Sequence, residues 1–134
     1  MSDHEFLRVQ DCVGRGPWRP GMSHLWVDES HPAPFPPTLT EDFPDLQPKL
    51  DDAHRRGLHI GTCCDGLDQL AKWFTEMERG RLLLLGYYLV KVDIMVINRI
   101  LARSEHQTVF ACRRHLKHLP KTPWPSFSVL RRNP

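Results

Sequence analysis

Three small groups of residues in this chain have side chains that could act on a bound molecule. Arg8 interrupts an apolar stretch, FLRVQ at 6–10, with a charge. A guanidinium in such a strand can hold a pyrophosphate or a carboxylate through two parallel N–H bonds. Gly61-Thr62 lies at the end of another strand, just before a capped helix. A glycine there lets a planar ring approach the backbone. Glu105 and Gln107 form an E-x-Q pair at the expected start of the last strand, where the two-residue period puts both on one face. Either can hydrogen-bond a ribose hydroxyl. Only the glutamate offers negative charge to an oxocarbenium-like transition state.

Competing readings need no ligand. Arg8 could pair with Asp11 or Glu105 across a sheet edge, Gln107 could satisfy a backbone group, and Trp73 and Phe74 could simply pack at a helix junction. Other chemistries are less well supported. Cys12, Cys63, Cys64 and Cys112 form no C-x-x-C pair, and the eight histidines form no helical H-x-x-x-H pair, so no metal site is expected. Cys64 precedes a helix start, which favours a thiolate, but the neighbouring Asp65 opposes it. Arg15, Trp18 and Arg19 make a small basic loop around an aromatic ring. The nearly balanced charge of +2 argues against nucleic acid as the partner.

Placing these groups falls to a few elements, most legible between residues 58 and 93. Leu58–Cys63 reads as a strand. Asp65 reads as the N-cap of a helix over Gly66–Phe74, with Leu67, Leu70, Ala71 and Phe74 on one face. Thr75 and Glu78 have the spacing of a capping box, which opens a second helix running to about Leu85 and stopping at Gly86. Tyr87–Val92 is again a strand. Before this stretch, Phe6–Gln10 is a strand candidate, Asp11–Gly21 a glycine- and proline-rich loop, and Ser23–Val27 a second short strand. Asp28–Pro48 is a proline-dense, acidic connector, and Lys49–Arg56 one or two helical turns ended by Gly57. After it, Ile94–Leu101 reads as either a short helix or a strand extension, and Gln107–Cys112 as the last strand.

Short strands separated by helices and long loops predict an α/β (mixed α+β) fold with a sheet of four to six strands. Residues 1–119 are expected to form a single globular domain with the proline-rich loop at 28–48. Residues 120–134 are expected as a loosely ordered tail, or one docked by Trp124 and Phe127. A 40% hydrophobic fraction excludes broad disorder, while twelve prolines, clustered outside 58–93, imply a modest core. No apolar run reaches the roughly 20 residues that span a bilayer. The first residues, MSDHEFLRVQD, contain no apolar signal segment, so reduced cysteines and a cytoplasmic location are expected.

At Arg8, Gly61-Thr62-Cys63 and Glu105-x-Gln107 the chain resembles the ADP-ribosyltransferase superfamily, over roughly Leu7 to Leu116. The resemblance implies a small split mixed sheet with two or three short helices and NAD, as substrate, bound in the cleft. It assigns Arg8 to the NAD phosphates, Gly61 and Thr62 to the nicotinamide or ribose, and Glu105 or Gln107 to catalysis on the ribose. The chain departs from the family pattern in two places. The serine-threonine-serine motif reads Gly-Thr-Cys, and the usual glutamate position reads Gln107. The resemblance also implies a protein target, contacted by the loop Asp28–Pro48. RVQD followed by GRGPWRPG is similar in style to small phage and prophage proteins. That likeness implies an anti-defence role against a host defence complex, in the host cytoplasm. Two alternatives follow: a non-enzymatic, anti-CRISPR-like inhibitor acting by protein–protein binding, and an NAD glycohydrolase toxin.

Overall fold

In the computed structural model, which describes residues 5–18, 23–29, 31, 37–93 and 99–124, five strands make one sheet. They are β1 (Phe6–Gln10), β2 (His59–Asp65), β3 (Tyr88–Val92), β4 (Arg99–Arg103) and β5 (Thr108–Cys112). The spatial order is β3-β1-β2-β5-β4, and every neighbouring pair is antiparallel. The mixed α/β class and a strand number between four and six agree with the sequence. Among the described residues the sheet lacks the parallel component expected of a mixed one.

Five helices are described, against the two or three expected: α1 (Ser23–Trp26), α2 (Leu39–Asp42), α3 (Gln47–Arg55), α4 (Gly66–Trp73) and α5 (Glu76–Leu84). The segment Ser23–Val27, expected as a strand, is helical because of what Trp26 does. Its ring is fully buried and its Nε1 donates to Pro17 O at 3.1 Å. A single turn this short is held by such burial rather than by propensity. Helix α2 lies inside the proline-dense connector. Thr38 caps it, with a reciprocal box to Glu41. Hydrogen bonds from the Thr38 backbone and hydroxyl hold the Glu41 carboxyl below its ordinary range. Residues 94–98, half of the ambiguous Ile94–Leu101 segment, lie outside the described residues. Arg99 onward is strand.

The capping box predicted at Thr75 and Glu78 is present at the start of α5. Asp65 precedes α4 as expected but does not cap it with its side chain. Its carboxylate pairs with Arg103, and its backbone N–H donates instead to Gln69 Oε1 at 2.7 Å. Residues 120–124 run along the outer side of β3. Lys91 N donates to Pro120 O, Thr122 N donates to Leu89 O, and Trp124 meets Phe74 edge to face. Residues 125–134, including Phe127, lie outside the described residues.

Both faces of the sheet are covered, so β1 and β5 are buried at all five positions rather than at alternate ones. Leu7, Val9, Cys64 and Leu89 pack against Trp26, Leu70, Phe74 and Leu82 from α1, α4, α5 and the residue between. On the β4–β5 side, Leu101, Val109 and Ala111 pack under Leu46 and Ala53 at α3. Cys63, Val90, Val92 and Phe110 form another cluster, closed by Leu116 and Leu119 around a short 3-10 turn. Among the described residues no helix is long and apolar enough to cross a membrane.

The sheet is split at one place. β1 pairs with β3 along its whole length, yet it pairs with β2 only at Phe6↔Asp65 and Leu7↔Cys64. Past Leu7 the two strands part.

Candidate functional site

Arg8 fills the opening between β1 and β2. Where the ladder has stopped, its Nη1 donates to Thr62 O at 3.0 Å, so a side chain takes the place of a strand-to-strand bond. Its Nε donates to Gln10 Oε1 at 3.0 Å and its Nη2 to Gly14 O at 2.9 Å. All three acceptors are neutral. Among the described residues no carboxylate pairs with Arg8. Asp11 is turned to Arg15, accepting from its Nε and backbone N–H at 2.9 Å and from Val13 N at 3.1 Å. These bonds outweigh burial and hold the Asp11 carboxyl below its ordinary range. Neither ion pair considered for Arg8 from the sequence is therefore formed.

The side chain is only 8% exposed, and burial lowers the guanidinium below its usual pKa. Arginine nevertheless stays charged in proteins. A buried cation without a counter-ion is costly. Nη1 and Nη2 each retain one N–H beyond those already engaged. The backbone of Gly16 lies over them: a Cβ there would stand 3.8 Å from Nη2 and 3.9 Å from Nη1.

Beside this cation the parted strands border a cleft of about 320 Å³. Its lining brings together four of the five residues singled out from the sequence: Arg8, Gly61, Thr62 and Gln107. Aromatic and aliphatic groups make the walls, chiefly Trp18, Trp73, Phe74, Leu39 and Ile60. Trp18 meets Trp26 and Trp73 edge to face, with centroids 4.6 Å and 6.0 Å apart. Trp73 is held in turn by Nε1 donating to His106 O at 2.8 Å. Gly61 contributes backbone to the lining, but its lack of a side chain serves packing. A Cβ there would come 3.0 Å from Phe110 Cζ and 3.1 Å from Leu116 Cδ1.

Glu105 is outside the cleft lining. Its side chain is 82% exposed and lies 3.4 Å from His106 Nε2. The expected strand begins one residue later than the sequence suggested, at Thr108. Residues 104–107 are the turn joining β4 to β5, closed by Ser104 N donating to Gln107 O at 2.9 Å. The two-residue period that placed Glu105 beside Gln107 does not extend into a turn. Helix α4 holds this turn, Gln69 Nε2 donating to Glu105 O at 2.9 Å.

Gln107 is buried at the cleft wall. Its Nε2 donates to Asp42 Oδ2 at 3.1 Å and to Pro37 O at 3.4 Å, and Ser104 Oγ donates to the same Asp42 oxygen at 2.6 Å.

The chain matches no family model, and no curated protein or solved structure is significantly similar to it.

Two further chemistries can be judged on the geometry. Cys63 and Cys64 border the cleft, but burial pushes the Cys64 thiol up to about 12 and raises Cys63 as well. Neither forms an appreciable thiolate near neutrality, so the helix start does not activate Cys64. Of the basic loop, Arg15 is tied to Asp11 and Trp18 packs between two other tryptophans, while Arg19 lies outside the described residues. Sequence reasoning missed Asp42, Ser104 and Trp18 as parts of this site. The signal for Asp42 was TLTE at 38–41, a capping-box spacing that places a helix turn within the proline-dense stretch.

Proposed function

We propose that the cleft between β1 and β2 binds NAD, and that the chain is an ADP-ribosyltransferase-like protein acting on a protein target. The observation supporting this is Arg8: a buried guanidinium that no carboxylate among the described residues pairs with, with N–H groups to spare, bordering an aromatic-walled cleft. In this reading Arg8 takes the NAD phosphates, and Gly61 and Thr62 line the nicotinamide or its ribose. Gln107 hydrogen-bonds a hydroxyl of that ribose. The volume of about 320 Å³ is at the low end of small-molecule sites, which span roughly 300–1,000 Å³. It suits the nicotinamide riboside half of the dinucleotide. Recognition is better supported than transfer, because the side chain at the cleft is the neutral Gln107 while Glu105 is exposed.

Calorimetry with NAD tests the reading. Binding is expected for the unaltered chain and a loss of about tenfold or more for Arg8→Lys, which keeps the charge but not the planar fork. The absence of heat and of any thermal shift at millimolar NAD would sink it. Incubation with NAD and a target then separates the outcomes: a labelled protein means transfer, free nicotinamide alone means a glycohydrolase, and neither means a binder.

A second reading, a phage-encoded inhibitor that blocks a host defence complex by contact, draws on α5 and the residue after it. Met77, Leu83, Leu84 and Leu85 are exposed there, Leu84 at 90%. Under this reading Leu84→Lys abolishes inhibition and leaves NAD titrations unchanged. Retained inhibition would count against it.

A further inference from the structure

The amide of Gln107 has two ends, and the structure decides which of them meets a ligand. Its Nε2 faces Asp42 Oδ2 and Pro37 O, both of which can only accept. The nitrogen must therefore point to them and the carbonyl oxygen away from them. Among the described residues no donor reaches Oε1, and Gln107 borders the cleft. Asp42 is itself held in place by Ser104 Oγ at 2.6 Å. Ser104 Oγ also accepts from His106 N at 3.0 Å and from Gln107 N at 3.3 Å, so its proton is free to go to Asp42. Ser104 and Gln107 both donate to the same Asp42 oxygen, and the other end of the Gln107 amide is left as a bare acceptor.

We infer that Asp42 is a positioning residue that locks Gln107 so that the cleft presents an acceptor at this wall and donors at Arg8. The site thereby selects a ligand carrying an anion at one end and a hydroxyl donor at the other. On the NAD reading, on which this choice of ligand rests, the donor is a hydroxyl of the nicotinamide ribose. Asp42 touches no ligand and acts through Gln107. Replacing it by alanine removes the one oxygen that accepts from both Ser104 and Gln107. Gln107 can then turn over and show the cleft its nitrogen instead.

Two measurements on the full chain test this. The first needs no ligand: the side-chain NH₂ signals of Gln107 in a nitrogen-15 spectrum, assigned by their loss in Gln107→Leu. They are expected away from the positions of solvated glutamines in the unaltered chain and shifted toward them in Asp42→Ala. Identical signals in the two proteins would overturn the role of Asp42, whatever the ligand. The second compares NAD with analogues bearing fluorine in place of the 2′- or 3′-hydroxyl of the nicotinamide ribose, since fluorine cannot donate. One analogue should bind at least about tenfold more weakly than NAD to the unaltered chain. The gap should close to about threefold in Asp42→Ala. Equal binding of NAD and both analogues by the unaltered chain, or an unchanged gap in the variant, would overturn the selectivity. If none of the dinucleotides binds, the NAD reading and its choice of ligand fall together, while the spectra still decide whether Asp42 orients Gln107.

Discussion

Arg8 donates to the carbonyl oxygen of Thr62 at the point where β1 and β2 stop pairing, 3.0 Å from Nη1 to oxygen. One side chain thus bridges two strands and keeps them apart. Replacing it with methionine, close in length, removes three donors and strands the carbonyls of Gly14 and Thr62 in a buried site. Part of that loss is offset by removing a buried charge that no carboxylate among the described residues pairs with. Urea unfolding of Arg8→Met is expected to show a net loss of about 2 kcal/mol. A variant more stable than the parent would mean that the buried charge costs more than its hydrogen bonds return.

A different buried group ties α5 to the start of the proline-dense loop. Glu78 is fully buried and accepts from Thr75 N at 2.9 Å and Asp28 N at 3.0 Å, with His31 Nδ1 2.7 Å away. Glu78→Ala strips the capping box and these contacts together. It should cost about 3 kcal/mol in urea unfolding. Glu78→Gln, which keeps one oxygen, should cost clearly less. Equal losses in the two variants would show that charge, and not hydrogen bonding, holds the segment.

Gly61 leaves little room for a side chain against Phe110 and Leu116. Gly61→Ala puts a methyl group about 3 Å from the Phe110 ring, a clash expected to cost roughly 1–3 kcal/mol. Adding Phe110→Leu should recover part of that loss, so the double variant should be more stable than the sum of the two singles predicts. Strict additivity would indicate that the two side chains do not collide.

The thiols divide sharply. Cys12 is exposed, and Cys63, Cys64 and Cys112 are buried. At pH 8 a disulfide reagent should consume one thiol per folded chain, at Cys12, and four after denaturation. Fast native labelling of Cys64 would contradict its burial.

The same thiols set a pH dependence. Burial raises the three buried groups above the ordinary 9.0, Cys64 to about 12. They stay protonated in the fold while the unfolded chain ionises. Their effect on stability is therefore absent below about pH 9. Above it, stability falls by about 1.4 kcal/mol per pH unit for each thiol, until the folded form also ionises. Unfolding midpoints between pH 8 and 11 should fall accordingly, and Cys64→Ala should flatten the fall. The same slope in both proteins would assign it to other groups.

What could be read from the sequence follows the range of the interactions involved. Thr75 and Glu78, three residues apart, announce their capping box locally, and Gly86 marks the end of the helix it opens. Arg8 stood out because a charge in FLRVQ conflicts with its neighbours. Ser23–Val27 alternates like a strand, yet the burial of Trp26 beside Pro17 and α5 overrides that pattern. Glu105 was placed by a strand period that a turn interrupts at Gln107. Asp42 was out of reach altogether, because it sits in a proline-dense stretch 65 residues from the amide it holds.

The place of β1 in the sheet has a consequence for how the chain folds. β1 precedes the other described strands in the chain yet is an interior one, with β3 on one side and β2 on the other. Phe6 finds its partners at Asp65 and Val92, so neither edge of β1 is satisfied until Asp65 has emerged. Such non-local pairing slows folding and leaves an apolar strand unpaired in the meantime. A nascent chain stalled before residue 88 lacks β3 and exposes one side of FLRVQ, the state in which a chaperone would have most to hold.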